Sequence, residues 1–275
     1  MDNTAQIDSW NGPSGLKWAR DADQLDQMLQ PFAAAVLEAA QPVAGEKVVD
    51  IGCGAGALSL AAALLGAQVT GVDVSVPLVE LARRRAAVKA ASTQFVVADA
   101  SEWQPDQKTQ LLISRFGVMF FADPVAAFAN IRAGMSEDGR LAFACWRSLP
   151  ENDWAMVPVL TALPFLKEPP KPSPPGAPGP FAFADSEYLH SILTKSGWNN
   201  VKVTPWNGSI QLPGLKAEDT ATFMMEIGPL SRTIADQGID PATVRQALID
   251  KVRSLTGEAG ATQLKAAAWI VEAVV

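Results

Sequence analysis

The stretch that decides the fold is VVDIGCGAGALSL, residues 48–60. A β-branched run leads to Asp50, then Gly52, Gly54 and Gly56 follow at alternate positions, and an apolar stretch begins directly after them. Glycine allows positive φ angles and lacks the Cβ atom that would collide with a bound ligand. The N-terminus of the following helix offers unpaired amide groups. The sequence therefore predicts a strand, a tight turn that lines a ligand site, and a helix.

Beyond this turn, strand and helix signals alternate along the chain. Strands are predicted at 47–51, 68–74, 93–99, 110–116 and 140–146, and helices at 56–66, 76–91 and 123–134. The strands are apolar throughout, which is typical of a parallel sheet covered on both faces. Strand–helix alternation indicates right-handed βαβ units. The predicted fold class is therefore α/β, with a doubly wound, mostly parallel sheet.

The predicted α/β core spans residues 46–149, and different kinds of segment precede and follow it. Residues 1–45 form a leader of two helices that Pro31 separates. Residues 150–184 form a Pro-rich cap segment, and the ten prolines between 150 and 180 predict neither a helix nor a central strand there. A helix and a strand of the core follow at 185–206, then a helical insertion at 207–265. The last core strand is predicted at 266–275, where Ile and Val favour a strand over a helix.

Composition narrows the class of protein. The chain has 275 residues, of which 48% are apolar, and its formal net charge is −7. Its length suits one large domain or a domain with a cap. Cys53 and Cys145 lie far apart, which favours a reducing compartment. The first ten residues do not predict a signal peptide, and the sequence contains no run of 18 apolar residues. We expect a cytoplasmic protein with a small-molecule substrate, no nucleic acid and no membrane as partners, and a homodimer as one possible assembly.

Acidic residues at the predicted strand ends indicate the kind of ligand. Asp50 precedes the glycines, Asp73 ends the second strand and Asp99 ends the third. A carboxylate can accept hydrogen bonds from ribose hydroxyls, an adenine amino group or an amine. The glycine spacing also fits a dinucleotide fingerprint, which keeps an NAD(P)-dependent oxidoreductase as an alternative. Three carboxylates suit a positively charged ligand better than a pyrophosphate.

The ordered set VVDIGCGAGALSL, TGVDVS, VVADASEW and LLISRFGVMFFADP resembles the class I S-adenosylmethionine-dependent methyltransferases over residues 30–146. The flanking segments resemble, more loosely, a bacterial small-molecule subgroup of that family. The resemblance implies a Rossmann-like methyltransferase fold with a helical and Pro-rich cap. It also implies that the last strand lies antiparallel between the two preceding strands, and that S-adenosyl-L-methionine is the cofactor and S-adenosyl-L-homocysteine the product.

The resemblance implies a cofactor role for eleven positions. The amino-acid part of the cofactor would lie near Asp50, Gly52, Gly54 and Gly56, the ribose and adenine near Asp73, Val74, Asp99 and Ala100, and the sulfonium near Arg115 and Phe116. Trp18, with Trp10, would either close over the cofactor or form a satellite apolar cluster.

No catalytic residue is assigned from the sequence. The single histidine, His190, is predicted on the surface of a helix, and no spacing of His, Cys and Asp indicates a metal site. The expected reaction is in-line methyl transfer to a small, partly apolar acceptor, driven by positioning and exclusion of water. A binding module that holds the cofactor without turnover is a further alternative.

Overall fold

The structure is a computed structural model that describes residues 3–89, 93–171, 174, 176–212, 216–228, 230–256 and 262–275. Its strands are β1 (Lys47–Ile51), β2 (Gln68–Asp73), β3 (Thr93–Val97), β4 (Thr109–Arg115), β5 (Met135–Trp146), β6 (Asn199–Leu212) and β7 (Thr262–Val274). They form one seven-stranded sheet in the order β3-β2-β1-β4-β5-β7-β6.

The described helices precede, connect and follow these strands. They are α1 (Thr4–Asn11), α2 (Pro13–Arg20), α3 (Ala22–Ala40), α4 (Ala57–Leu64), α5 (Val76–Lys89), α6 (Pro124–Ala133), α7 (Asp153–Ala162), α8 (Ser186–Lys195), α9 (Ala217–Ile227), α10 (Leu230–Gln237) and α11 (Pro241–Leu255).

The predicted α/β class is confirmed. Strands β1 to β5 pair in parallel, so their carboxyl ends share one edge of the sheet. The pairs Ile51↔Val72 and Asp73↔Val97 set the register at that edge. The predicted last strand is present, since β7 runs antiparallel to β5 and lies between β5 and β6. The bounds of the predicted helical insertion, 207–265, were wrong, because β6 continues to Leu212 and β7 begins at Thr262.

The prediction that Pro31 separates two helices was wrong, because α3 continues through it. A proline in a helix interior removes one backbone hydrogen bond and strains the preceding turn. Here Leu25, Met28, Phe32 and Val36 lie on one buried face of α3. Burial of such side chains, worth about 1.5–3 kcal/mol each, outweighs the local cost.

The expectation that no helix forms between 150 and 180 was also wrong. Helix α7 occupies 153–162 and contains Pro158. A short 3-10 turn precedes it, where the hydroxyl of Ser148 donates to Glu151, whose side chain accepts from the Ser148 amide as well. Pro158 is buried together with Trp154, so tertiary packing again outweighs local propensity.

The chain divides into two compact units. The first contains Met1–Trp146, Gly176–Trp206 and Ala268–Val275, and the second contains Arg147–Pro175 and Asn207–Ala267. The carboxyl ends of β1 to β4, with the predicted cofactor residues, belong to the first unit. Among the described residues, no helix has the length and apolar character needed to cross a membrane.

Candidate functional site

The glycine turn follows β1 directly, and its three glycines all adopt positive φ angles: 65° at Gly52, 52° at Gly54 and 83° at Gly56. The Gly52 amide donates to the Val72 carbonyl at 2.8 Å, which fixes the turn against β2. A Cβ atom on Gly52 would lie 2.5 Å from the Cα atom of Gly117, whereas one on Gly54 would meet nothing within 4 Å. Gly52 is therefore required for packing, and the open side of the turn lies at Gly54.

Asp73, at the end of β2, holds the turn in place. One carboxylate oxygen accepts from the Gly54 amide and the other from the Ser75 amide, both at 2.8 Å. Burial raises the pKa of this carboxyl, and the two backbone hydrogen bonds oppose that rise. Each oxygen keeps a further lone pair, so the carboxylate can still accept from two hydroxyl groups.

Asp50 is the most buried acid of the site, and its side chain is only partly satisfied. Its Oδ2 atom accepts a 2.5 Å hydrogen bond from the Ser59 hydroxyl on α4. Its Oδ1 atom is buried and, within the described part of the chain, has no hydrogen-bond partner. Burial raises its pKa to about 7, with Ser59 and Arg115 opposing the rise and Asp73 adding to it. An unsatisfied buried carboxylate oxygen costs free energy that a cationic donor can recover.

Asp99 lies two residues beyond the end of β3, so the strand is shorter than predicted. Its Oδ1 atom accepts from the side-chain amide of Asn3 at 3.0 Å and from the Ser101 amide at 2.9 Å. The carbonyl of the next residue, Ala100, accepts from Asn130 at 3.2 Å. The loop after β3 is thus held from both sides.

Val74 follows Asp73 and is fixed by the leader. The Asn11 side chain donates to the Val74 carbonyl at 2.9 Å and accepts from the Val76 amide at 3.0 Å. Ser75, which precedes α5, uses its hydroxyl to donate to the Trp10 carbonyl at 2.7 Å. The loop after β2 is therefore bound to the last two residues of α1.

Arg115 ends β4 and forms an ion pair with Asp26 of α3 at 2.9 Å. The other oxygen of Asp26 accepts from Arg85 at 2.8 Å. Both arginines are mostly buried, which makes this network less exposed to solvent screening than a surface pair. Asp26 thereby fixes the direction of the Arg115 guanidinium.

Phe116 has a φ angle of 64°, which is unusual for a bulky residue. Its ring stacks on Trp146 with centroids 4.0 Å apart and meets Phe32 edge-on at 4.9 Å. Phe32 also contacts Trp206 at 4.4 Å. These four rings, called here the aromatic cluster, lie beside the end of β4.

Trp18 packs, together with Trp10, against the buried residues Ala22, Ala55 and Leu78. The two indole rings meet edge-on at 5.5 Å. Because Ala55 belongs to the glycine turn, this apolar cluster adjoins the predicted cofactor site. The role of Trp18 towards a cofactor stays a prediction.

The sheet edge thus brings together the ends of all four strands that carry the predicted residues. Sequence reasoning missed four side chains that hold them: Ser59, Asp26, Asn3 and Asn11. Ser59 carries a weak signal, since it is a hydroxyl inside an apolar helix. The asparagines carry none, because their partners lie 63 to 119 residues away.

Among the residues that the structure describes, we assign no general base at this edge. His190 is exposed on α8, where its Nδ1 atom lies 3.4 Å from the Thr194 hydroxyl. The described residues contain no group of three or more His, Cys, Asp or Glu side chains that could hold a metal ion.

The parallel sheet and the glycine turn are typical of nucleoside-binding α/β proteins, and comparisons with known proteins identify the family. The methyltransferase domain family matches residues 48–139. The chain is 33% identical over 122 residues to the aklanonic acid methyltransferase DauC of Streptomyces sp. (strain C5), covering 42% of this chain and 56% of that protein. It is 31% identical over 170 residues to the ubiquinone biosynthesis O-methyltransferase of Histophilus somni (strain 2336), covering 59% of this chain and 68% of that protein.

A solved structure shows the same fold. Phosphoethanolamine N-methyltransferase 2 of Haemonchus contortus, in complex with S-adenosylhomocysteine, aligns with a TM-score of 0.53 at 17% identity, covering 88% of this chain and 52% of that one. The chain spans about half to two thirds of the length of the two curated relatives above. The chain belongs to the S-adenosylmethionine-dependent methyltransferase family.

Proposed function

We propose that this protein transfers the methyl group of S-adenosylmethionine to a small, partly apolar acceptor. The observation that carries the proposal is the buried, unpartnered Oδ1 atom of Asp50 beside a glycine turn that is open at Gly54. The α-ammonium group of the cofactor supplies the positive donor that this carboxylate lacks. A pyrophosphate, which an NAD(P)-dependent enzyme would place near the turn, would instead meet a negative charge.

The remaining residues fit the other parts of the cofactor. Asp73 would accept from the ribose hydroxyls and Asp99 from the adenine amino group, with Val74 and Ala100 beside the base. Arg115 and Phe116 would lie next to the sulfonium. The guanidinium of Arg115, which pairs with Asp26, repels a nearby cation, whereas the face of an aromatic ring such as that of Phe116 attracts it.

The bound cofactor supplies a methyl group that is already activated. The protein therefore needs chiefly to position the acceptor and to exclude water from the reacting atoms. Gly54 and Asp73 hold the nucleoside through a rigid turn, and the aromatic cluster provides an apolar wall near the end of β4. Holding two reactants in line can lower the barrier by roughly 7–11 kcal/mol. No described side chain is assigned as a base, which suits an acceptor that is already ionised or neutral and nucleophilic.

The names of the relatives and the aromatic cluster support this acceptor class. One relative is named for aklanonic acid and another for ubiquinone biosynthesis, so both are named for small molecules. Within the aromatic cluster, Trp206 is half-buried and the other three rings are buried. A planar, partly apolar acceptor would pack favourably against aromatic side chains, with about 0.5–1.5 kcal/mol from each ring contact.

Calorimetric titration tests the cofactor, and a transfer assay tests the reaction. S-adenosylhomocysteine should bind in the micromolar range, and NADH should give no heat above dilution. Binding of NADH without binding of S-adenosylhomocysteine would instead support an NAD(P)-dependent oxidoreductase. Labelled S-adenosylmethionine, incubated with a panel of phenolic and carboxylic aromatic acceptors, should then give a labelled product. Tight binding of the product with no transfer to any acceptor would favour a binding module.

A further inference from the structure

The leader meets the predicted adenine site through one side chain, Asn3. This residue occupies the position before α1, where an asparagine ordinarily accepts a hydrogen bond from its own helix. Here its backbone carbonyl accepts from the first turn, but its side chain forms no bond with that helix. Both polar groups of the side chain are used on other segments.

The first of these segments is the loop after β3. The Asn3 amide donates to Asp99 Oδ1 at 3.0 Å, across 96 residues of chain. The same oxygen accepts from the Ser101 amide. Within the described part of the chain, no hydrogen bond reaches the Oδ2 atom of Asp99. Two donors on one oxygen fix the plane of the carboxylate and leave the other oxygen available.

The second segment is the loop after β4. The side-chain oxygen of Asn3 accepts from the Ala122 amide at 2.9 Å. Ala122 lies next to Asp123, whose side chain accepts from the first turn of α6. Asn3 therefore joins two strand-end loops that β4 separates along the chain, and its orientation is determined by both.

We propose that Asn3 is a positioning residue that determines nucleobase specificity, because it orients Asp99 so that Oδ2 accepts from an amino group at position 6 of a purine. This inference rests on the proposed function, since it assumes that the nucleoside of the cofactor lies at Asp99. It adds a residue of the leader to the specificity of that site. Without Asn3, the carboxylate keeps only the Ser101 donor and can rotate about its terminal torsion.

The test compares two ligands that differ at that one position. S-adenosylhomocysteine carries an amino group there, and S-inosylhomocysteine carries a carbonyl oxygen, which a carboxylate repels. The wild-type protein should bind the adenine compound roughly tenfold or more tightly, because the analogue replaces the amino donor at position 6 with an oxygen that the carboxylate repels. Asp99→Asn should reduce that ratio, since an amide can donate to the carbonyl of the analogue.

Two substitutions of Asn3 isolate its contribution. Asn3→Ala removes both contacts, whereas Asn3→Asp keeps the acceptor for the Ala122 amide and replaces the donor to Asp99 with a carboxylate oxygen that repels it. Both should lower the ratio of the two affinities by roughly fivefold, a typical coupling between residues in contact. The matched control is Asn11→Ala, which removes a comparable pair of leader contacts from the loop after β2. The control should leave the ratio unchanged even where it weakens both ligands.

The outcomes separate the inference from the proposed function. If the wild-type protein binds neither compound, or binds both equally, the cofactor site itself is wrongly assigned. If wild type discriminates and both Asn3 variants discriminate equally well, Asn3 has only a structural role and the inference fails. It also fails if Asn3→Ala binds both compounds more tightly than wild type, since Asn3 would then compete with the ligand for Asp99.

Discussion

The Cα atoms of Gly52 and Gly117 face each other so closely that neither residue can carry a side chain. A Cβ atom built on Gly52 would lie 2.5 Å from the Gly117 Cα atom, and one built on Gly117 would lie 2.6 Å from the Gly52 Cα atom. The Ser114 hydroxyl donates to the Ile51 carbonyl at 2.7 Å and accepts from the Gly117 amide at 3.2 Å. The turns after β1 and β4 are therefore packed backbone against backbone.

Replacing Gly52 by alanine should destabilise the fold. The φ angle of 65° is unfavourable for alanine, at about 1–3 kcal/mol, and the contact with Gly117 adds a comparable cost of overpacking. We expect the urea unfolding midpoint of Gly52→Ala to fall well below that of the wild type. A midpoint equal to that of wild type would mean that the two turns do not touch in solution.

Gly54→Ala is the matched variant, because it has the same backbone strain without the clash. Its φ angle is 52°, and nothing lies within 4 Å of the added Cβ atom. The loss of stability should be about 1–2 kcal/mol. The added methyl group should nevertheless weaken S-adenosylhomocysteine binding by roughly tenfold or more, since it occupies the open side of the turn. Calorimetry that shows unchanged affinity would place the ligand elsewhere.

The parallel strands could be predicted from the sequence, because each strand is an apolar run and helices connect β1 to β2, β2 to β3 and β4 to β5. The glycine turn was equally visible, since residues 52, 54 and 56 cannot be explained by local helix or strand propensity. The helices through Pro31 and Pro158 could not be predicted locally. Their stability depends on burial against segments distant in sequence, which local rules do not contain.

The same limit applies to the residues that hold the candidate site. Asp73 and Asp99 were found because strand ends meet at one edge of a parallel sheet. Asp26 and Asn3 were not, because a polar residue on a leader helix has no distinguishing pattern until its partner is known. Predicting them requires knowing how the leader packs on the sheet.

Asp73→Asn should reduce cofactor affinity. The asparagine keeps the shape of the side chain but loses its charge. Its oxygen can accept from the Gly54 amide or the Ser75 amide, but its NH2 group cannot accept from the other. Hydrogen bonds to a charged group contribute about 1.5–3 kcal/mol, so S-adenosylhomocysteine should bind at least roughly tenfold more weakly. Asp106→Asn, at an exposed acid in the loop between β3 and β4, serves as the control and should bind as wild type does.

The Asp50 carboxyl should make the stability of the ligand-free protein fall as pH rises. Burial raises its pKa from 3.8 to about 7, so the folded chain binds more protons than the unfolded chain between those values. The stability that this group contributes is therefore greatest at low pH and is lost as pH rises through that window. Asp50→Asn removes this contribution. Urea unfolding from pH 4.5 to 7.5 should show wild type losing stability relative to the variant, and parallel curves would contradict the prediction.

The affinity for the cofactor, unlike the stability of the ligand-free protein, should increase as pH rises. An ammonium group placed against Asp50 Oδ1 favours the ionised carboxyl, as the nearby Arg115 does, whereas Asp73 opposes it. Binding should then release a proton below about pH 7, so affinity for S-adenosylhomocysteine should rise between roughly pH 5.5 and 7.5. Titration in two buffers of different ionisation enthalpy counts that proton. Asp50→Asn should bind more weakly, with no proton release and a flat pH profile. If the variant still releases the proton, another group is its source, and the ammonium group does not lie at Asp50.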